Sequence, residues 1–270
     1  MGMEIGQIHP LFAAEVSGVD LAAPSDAAAL GVIWEAIDRY AVLVFRDQRL
    51  DDEKLRDFAV NFGRLEIGRA AAEARKRRLT LPEIGDISNL DEEGRLRQRE
   101  DRRRLDSLGN RLWHTDASYM PVPVVLGMLY AVAVPPASSL GGGETEFADM
   151  RAAYDALPEP MKEEIGGLIA EHDIFWSRGQ IGFTDFLPGE REKYPPATPS
   201  AAPSRLEAQD VVPLGARFPH CRLARSRRPA PALRPNAVRD PARIRLQPQM
   251  AGRRSRNLGQ PLHDASWPPA

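Results

Sequence analysis

The first three quarters of the chain are predicted to fold as an α+β domain. Three observations support this: residues 26–40 carry apolar side chains at helical spacing, residues 41–45 are a short, continuous apolar run, and residues 124–134 are an apolar stretch that ends before two prolines. The first pattern is typical of an amphipathic helix and the other two of strands. With 270 residues and 43% hydrophobic side chains, the chain can bury a substantial core.

The ends of the first two helices are predicted from capping residues. Ser25 is expected to cap the first helix, because a short polar side chain there can accept a hydrogen bond from a free backbone N–H group. Asp51 or Asp52 is expected to start the second helix. That helix is predicted to run to about Phe62 and to end at Gly63, since glycine is common at helix C-termini.

Four further segments are assigned by composition and periodicity. Residues 70–78 are rich in alanine and arginine and are predicted to form a mobile helix or lid. Residues 91–104 are densely charged, which favours a solvated loop over a binding patch. Helices are predicted over 150–157 and 160–170.

The composition changes sharply near Tyr194. All lysines precede it, and residues 195–270 hold 14 of the 24 prolines. In this segment 13 arginines against four acidic residues give a charge of +9, which leaves −11 for the rest of the chain at a net charge of −2. Prolines at this density interrupt helices and sheets. We therefore divide the chain into a core over 1–194 and a tail over 195–270 that is predicted to be disordered.

Two interpretations of the tail compete. A basic, disordered segment is typical of a tail that contacts nucleic acid or a membrane surface. The complete loss of lysine, together with the gain of arginine, proline and alanine, instead favours GC-rich codons that are translated out of frame.

The pair His114 and Asp116 has the spacing of two metal ligands. On an extended strand, side chains two residues apart point to the same face, so an imidazole and a carboxylate could bind one ion. They would supply two of the three ligands in the 2-His-1-carboxylate arrangement that holds non-haem Fe(II). The competing interpretation is that His114 is a core or surface histidine whose hydrogen bonds are satisfied and which binds no metal.

The motif and its context resemble a known family. The resemblance extends over nearly all of residues 8–194, and the H-x-D motif is followed by Gly142-Gly143-Glu144-Thr145-Glu146-Phe147. The matching stretches are 9–14, 42–46, 58–63, 86–89, 113–119 and 143–157. Together they resemble the Fe(II)/2-oxoglutarate-dependent taurine and 2,4-dichlorophenoxyacetate dioxygenase family, most closely its dichlorophenoxyacetate branch.

The resemblance implies a fold and roles for individual residues. The fold would be a double-stranded β-helix (a jelly-roll, cupin-like) with flanking helices. His114 and Asp116 would ligate Fe(II), and the Thr145 hydroxyl would hydrogen-bond a carboxylate of 2-oxoglutarate, the co-substrate. Asn89 would face the substrate or co-substrate. For Thr145, the alternative interpretation is an ordinary strand residue with no role in binding.

The family's second histidine ligand is missing from the tail, and a shifted reading frame would restore it. The family expects W-x-x-G-D-x-x-x-W-D-N followed by histidine and arginine. When the codons of 243–270 are shifted by one base, Met250-Ala251 must encode tryptophan and Trp267-Pro268 must encode glycine. Permitted synonymous codons complete the motif in order, with histidine at Ala265-Ser266. We therefore expect the C-terminal jelly-roll strands to be missing or disordered and iron binding to be weak.

These inferences define the expected function. The intact enzyme would hydroxylate a small carboxylate or sulfonate, such as an aryloxyacetate, using O₂ and releasing succinate and CO₂. The alternative is a non-catalytic remnant or binding protein that retains part of the pocket. The sequence has a single cysteine, no apolar leader and no apolar run of 18 residues, so a cytoplasmic protein with no membrane or nucleic-acid partner is expected. A homo-oligomer is left open.

Overall fold

The computed structural model describes residues 2–68, 76–120, 124–134, 144–165, 170–195, 221–223 and 243–246. Within these ranges, strands and helices occur together, as the sequence predicts, and the strands form three small sheets. The predicted lid over 70–78 falls mostly outside the described residues. None of the helices in these ranges has the length and apolar character needed to cross a bilayer.

The N-terminal sheet contains three strands in the order β1-β2-β3. Strand β1 (Glu4–Gln7) pairs antiparallel with β2 (Ala14–Ser17), which pairs parallel with β3 (Leu43–Phe45). The parallel pair is possible because helix α1 (Ala27–Tyr40) crosses between the two strands. The continuous apolar run predicted over 41–45 therefore forms a strand, although its first two residues precede the pairing.

Helix α1 begins one residue later than the sequence predicts. Asp26, and not Ser25, is the N-cap: its backbone is extended, and its carboxylate accepts a hydrogen bond of 2.7 Å from Ala29 N. The prediction failed because both residue types are good caps, and only the backbone conformation decides which one reaches the free N–H group. The helix ends at Tyr40, before Ala41 with φ 61°.

Helix α2 (Asp52–Ala59) confirms its prediction. Asp51 is the N-cap and accepts a 2.8 Å hydrogen bond from Lys54 N. A 3₁₀ turn continues the helix to Phe62, and Gly63 follows with φ 132°. Phe58 from this helix packs with Leu21 and Ile33 in the main apolar cluster, which joins α2 to α1.

The middle of the chain differs most from its prediction. Residues 124–134 form no strand: Val125 and Val132 are each 76% exposed, and the segment is held at Tyr130, whose hydroxyl donates to Gln48 O at 3.3 Å. An apolar run is strand-like only where a neighbouring strand satisfies its backbone, and none pairs with it in the described residues. The charged residues 91–104 form mostly loop, and they end in helix α3 (Arg102–Ser107).

The last part of the core contains short elements. Helix α4 (Met150–Asp155) lies within the predicted 150–157, and helix α5 (Glu159–Ile165) begins one residue before the predicted 160–170; each ends early. Unpredicted elements follow, namely β5 (Ala170–His172), α6 (Ile174–Gly179) and α7 (Glu190–Lys193). The α5 prediction ran too far because Ala170, its predicted end, is the first residue of β5.

Two short strands lie within the tail that is predicted to be disordered. Strand β6 (Cys221–Leu223) pairs antiparallel with β5, and β7 (Arg243–Leu246) pairs antiparallel with strand β4 (Thr145–Ala148). The disorder prediction therefore does not hold at these two strands, whose backbone groups are paired with the core. The rest of the tail lies outside the described residues.

Candidate metal centre and adjoining pocket

His114 and Asp116 lie after a 3₁₀ turn (Leu108–Arg111) that follows α3. The sequence predicts them on a strand, and this is wrong: residues 112–115 form no strand and residues 116–119 form a turn. In this turn Met120 N donates to Ala117 O at 2.9 Å, and Ala117 has φ 54°. The two side chains nevertheless meet, because the turn brings Asp116 back towards the imidazole.

The two predicted ligands are in direct contact. The distance between His114 Nε2 and Asp116 Oδ1 is 3.0 Å, and His114 Nδ1 lies 2.7 Å from Leu112 O. The Leu112 carbonyl can only accept, so Nδ1 carries a proton and Nε2 is the nitrogen that faces the carboxylate. A backbone contact of this kind fixes the ring orientation of a metal-binding histidine.

The charges around His114 favour a cation at this position. The hydrogen bond to Asp116 raises the pKa of His114, burial opposes this rise, and the Leu112 carbonyl supports it. The positive charge of Arg178 lowers the pKa of the same ring. Nε2 and Oδ1 are also the two atoms that a divalent ion would use, since imidazole nitrogen and carboxylate oxygen are both ligands of iron.

Both side chains line an open cavity of about 180 Å³. Asp116 is 77% exposed and His114 is 27% exposed, so neither is buried away from a ligand. The other residues that line the cavity are Asn110, Thr115, Ala117, Tyr119, Ile174 and Arg178. The exposure of His114 disfavours the interpretation as a core histidine, and the interpretation as a surface histidine remains an alternative.

The pair fits a metal ion in its donor atoms but provides two ligands. Among the residues that the structure describes, no third histidine, cysteine, aspartate or glutamate joins His114 and Asp116 in a group able to hold a metal. Facial non-haem iron sites use three protein ligands. His114 and Asp116 would therefore supply two of the three ligands of such a site.

The other two predicted site residues lie elsewhere. Thr145 is an exposed residue on β4, opposite Leu246 of β7, and Asn89 is exposed in a loop where its carbonyl accepts from Arg97 N at 2.9 Å. Neither lines the cavity beside His114. The structure thus brings the two metal-ligand candidates into contact and does not place Thr145 or Asn89 in the cavity that they line.

Sequence reasoning missed a buried ion pair at this cavity. Arg178 Nε on α6 lies 3.1 Å from Asp106 Oδ1 on α3, and the two side chains are 11% and 12% exposed. The guanidinium covers Gly109, where any Cβ atom would collide with it. No local pattern could have revealed this pair, because 72 residues separate its members.

Comparisons with known proteins agree on one family. The model of the family described as "Taurine catabolism dioxygenase TauD, TfdA family" matches residues 4–261. The alpha-ketoglutarate-dependent 2,4-dichlorophenoxyacetate dioxygenase of Cupriavidus pinatubonensis is 41% identical over 196 residues, which are 73% of this chain and 67% of that protein. The (S)-phenoxypropionate/alpha-ketoglutarate-dioxygenase of Sphingobium herbicidovorans is 38% identical and aligns over 71% of this chain and 61% of its own length.

A solved structure shows the same relationship. The crystal structure of AAD-2 in complex with Mn(II) and N-oxalylglycine superposes with a TM-score of 0.64 at 38% identity, covering 73% of this chain and 67% of that one. The chain thus spans about two thirds of the length of the relatives that it matches.

Proposed function

Because the chain belongs to the TauD/TfdA family of 2-oxoglutarate-dependent dioxygenases, we propose that it derives from an Fe(II)- and 2-oxoglutarate-dependent dioxygenase that hydroxylates a small organic acid. The family predicted from the sequence is confirmed, and with it the enzyme class, an oxidoreductase. The jelly-roll itself remains part of the proposal, supported by the superposition on AAD-2.

The observation that carries the proposal is the contact between His114 and Asp116 at an open cavity. The 3.0 Å distance between Nε2 and Oδ1 supports both as ligands of one Fe(II) ion. When bound, iron and 2-oxoglutarate would together supply the oxidising power, with release of succinate and CO₂. The chain's own residues would hold the metal, orient the imidazole through Leu112 O, and shape the cavity for the substrate.

Two further residues are proposed to contact the bound molecules. The Thr145 hydroxyl is exposed on β4 and can hydrogen-bond a 2-oxoglutarate carboxylate. Asn89, also exposed, is proposed to face the substrate or co-substrate. Both proposals rest on the family resemblance.

The substrate class follows from the relatives. Their names specify 2,4-dichlorophenoxyacetate, (S)-phenoxypropionate and a sulfate ester, which are all small organic anions. We propose an aryloxyacetate for this chain, since the dichlorophenoxyacetate enzymes share 41% and 38% identity with it.

The activity of this exact chain is proposed to be impaired by translation of 195–270 out of frame. The support is the lysine-free, proline- and arginine-rich composition and the tryptophan codon that the shifted frame must contain at Met250-Ala251. The alignment with the Cupriavidus enzyme covers 196 residues, close in length to the 194 residues of the core. A non-catalytic remnant is the second candidate function, favoured by the two-ligand site in the described residues.

Succinate formation tests this proposal. The 270-residue chain and a chain with the tail frame restored are each supplied with Fe(II), 2-oxoglutarate, O₂ and phenoxyacetate. The restored chain is expected to form succinate coupled to phenol, at a rate at least about 100-fold above that of the 270-residue chain, because metal ligands act as a unit.

Matched variants distinguish the loss of a metal ligand from a general loss of folding. In the restored chain, His114→Ala and Asp116→Ala are expected to abolish succinate formation, whereas His9→Ala, a histidine outside the cavity, is expected to retain it. Equal rates in the restored chain and its His114→Ala variant would overturn the proposed site. Full activity of the 270-residue chain would overturn the proposed impairment.

A further inference from the structure

We propose that residues 124–134 are a docking edge for a second copy of this chain, which adds to them as a β-strand. The proposal concerns the 270-residue chain itself and does not depend on dioxygenase activity. It starts from composition: the segment is Val-Val-Leu-Gly-Met-Leu-Tyr-Ala-Val-Ala-Val, with no charged residue and no proline. Segments of this kind have a high β-propensity and pair with other chains when they are exposed.

One face of the docking edge is anchored to the core, and the other is open to solvent. Met128 packs against the main apolar cluster, and the Tyr130 hydroxyl donates to Gln48 O at 3.3 Å. Along residues 126–130 the even-numbered residues are partly buried and the odd-numbered ones are exposed. A period of two is typical of a strand that has one face on the core.

The backbone of the docking edge is unpaired within the described residues. None of the backbone hydrogen bonds found there involves residues 124–134, and the three sheets do not include them. A row of unpaired N–H and C=O groups is a template for another strand. Soluble proteins protect such edges with lysine, other charges or proline, and this segment contains none of them.

The exposed side chains of the docking edge are suited to contact with an identical segment. Val125 and Val132 are each 76% exposed, and Leu129 is 66% exposed. Apolar and β-branched side chains on neighbouring strands stabilise each other when they lie opposite one another. Because the segment carries no charge, two copies meet without like-charge repulsion, and a twofold axis makes both copies use the same surface.

The chain's own tail is a poor partner for the docking edge. Its two described strands, β6 and β7, are already paired with β5 and β4. The other stretches of the tail, residues 195–220, 224–242 and 247–270, contain all 14 of its prolines. Proline cannot donate a hydrogen bond to a strand ladder, so these stretches match the edge less well than a second copy of 124–134 does.

Sedimentation velocity of the 270-residue chain over about 1–100 µM tests the proposal, since a single added strand is expected to bind in this range. The variants are Leu129→Lys and Val125→Lys, which place a positive charge on the exposed face of every copy. Leu187→Lys is the matched control, at a leucine outside the segment that is 53% exposed. Circular dichroism shows whether each variant folds, and Val125→Lys decides the outcome where Leu129→Lys does not fold.

The wild-type chain is expected to self-associate as its concentration rises. Leu129→Lys and Val125→Lys should each raise the dissociation constant at least about 10-fold, because like charges would then face each other across the interface. The Leu187→Lys control should match the wild type. Species larger than a dimer that are lost in both edge variants support the same surface.

Three outcomes would overturn the proposal. The first is a wild-type chain that stays monomeric at every concentration. The second is association that neither edge variant weakens, or that the Leu187→Lys control weakens equally. The third is a monomer whose melting temperature falls in Leu129→Lys, which would mean that the chain's own tail covers the edge. None of these measurements involves iron or succinate, so their result is independent of the proposed function.

Discussion

Individual residues show how burial and contact determine chemistry in this chain. The chain's histidines include two with opposite environments: His114 faces a carboxylate at a cavity, and His172 is 6% exposed with its Nδ1 atom unpartnered within the described residues. The environment of His114 favours a positive charge, whereas the environment of His172 favours the neutral imidazole. The H-x-D spacing revealed His114 from the sequence, whereas the burial of His172 depends on packing that no local pattern encodes.

Stability is expected to fall as the pH falls below about 6.5, in part because of His172. Burial lowers the pKa of His172, so the unfolded state takes up its proton at a higher pH than the folded state does. Between the ordinary pKa and the lowered one, the unfolded chain binds more protons, and the free energy of unfolding decreases with falling pH. Thermal unfolding of the wild type and His172→Phe at pH 7 and pH 5 measures this effect.

The His172→Phe variant should lose less stability between these two pH values than the wild type does. Ile174→Val, a neighbouring substitution with no titratable group, serves as the control and should keep the wild-type difference. An identical pH dependence in His172→Phe and the wild type would show that His172 does not contribute.

Among the elements, helices α1, α2, α4 and α5 were predictable to within a few residues, whereas the segment 124–134 and strand β5 were not. Helix α2 has its predicted cap at Asp51 and its predicted end before Gly63, because both signals lie within the helix's own sequence. The predictions for residues 124–134 and for β5 were wrong for the opposite reason. Whether a segment becomes a strand depends on a partner far away in the sequence. The Asp106–Arg178 pair, which joins α3 to α6, has the same dependence.

The cap of α1 provides an element-scale prediction with a matched control. Asp26→Ala should lower the free energy of unfolding by about 1 kcal/mol, because it removes the acceptor for Ala29 N. Ser25→Ala, the adjacent substitution, should change it by less than about 0.5 kcal/mol. Chemical denaturation of both variants measures the difference. A larger effect at Ser25 than at Asp26 would restore the cap predicted from the sequence.

For the whole molecule, the central question is how residues 1–194 relate to the proline- and arginine-rich residues 195–270, since the family model matches residues 4–261. The core supplies His114 and Asp116, and β4 and β5 each pair with a short strand of the tail. The sequence predicted the family, and it led to the proposal of His114 and Asp116 as ligands, because both inferences depend on local motifs. The path of 195–270 could not be predicted, since a segment without apolar periodicity gives no indication of where it pairs.

The stoichiometry of Fe(II) binding in the presence of 2-oxoglutarate tests the account most directly. Anaerobic equilibrium dialysis would compare the 270-residue chain, the frame-restored chain and the His114→Ala variant of the restored chain. We predict about one ion per restored chain, a loss of most of that binding in the His114→Ala variant, and far less than one ion per chain in the 270-residue protein. Near-stoichiometric iron in the 270-residue protein, or in the restored His114→Ala variant, would contradict the account.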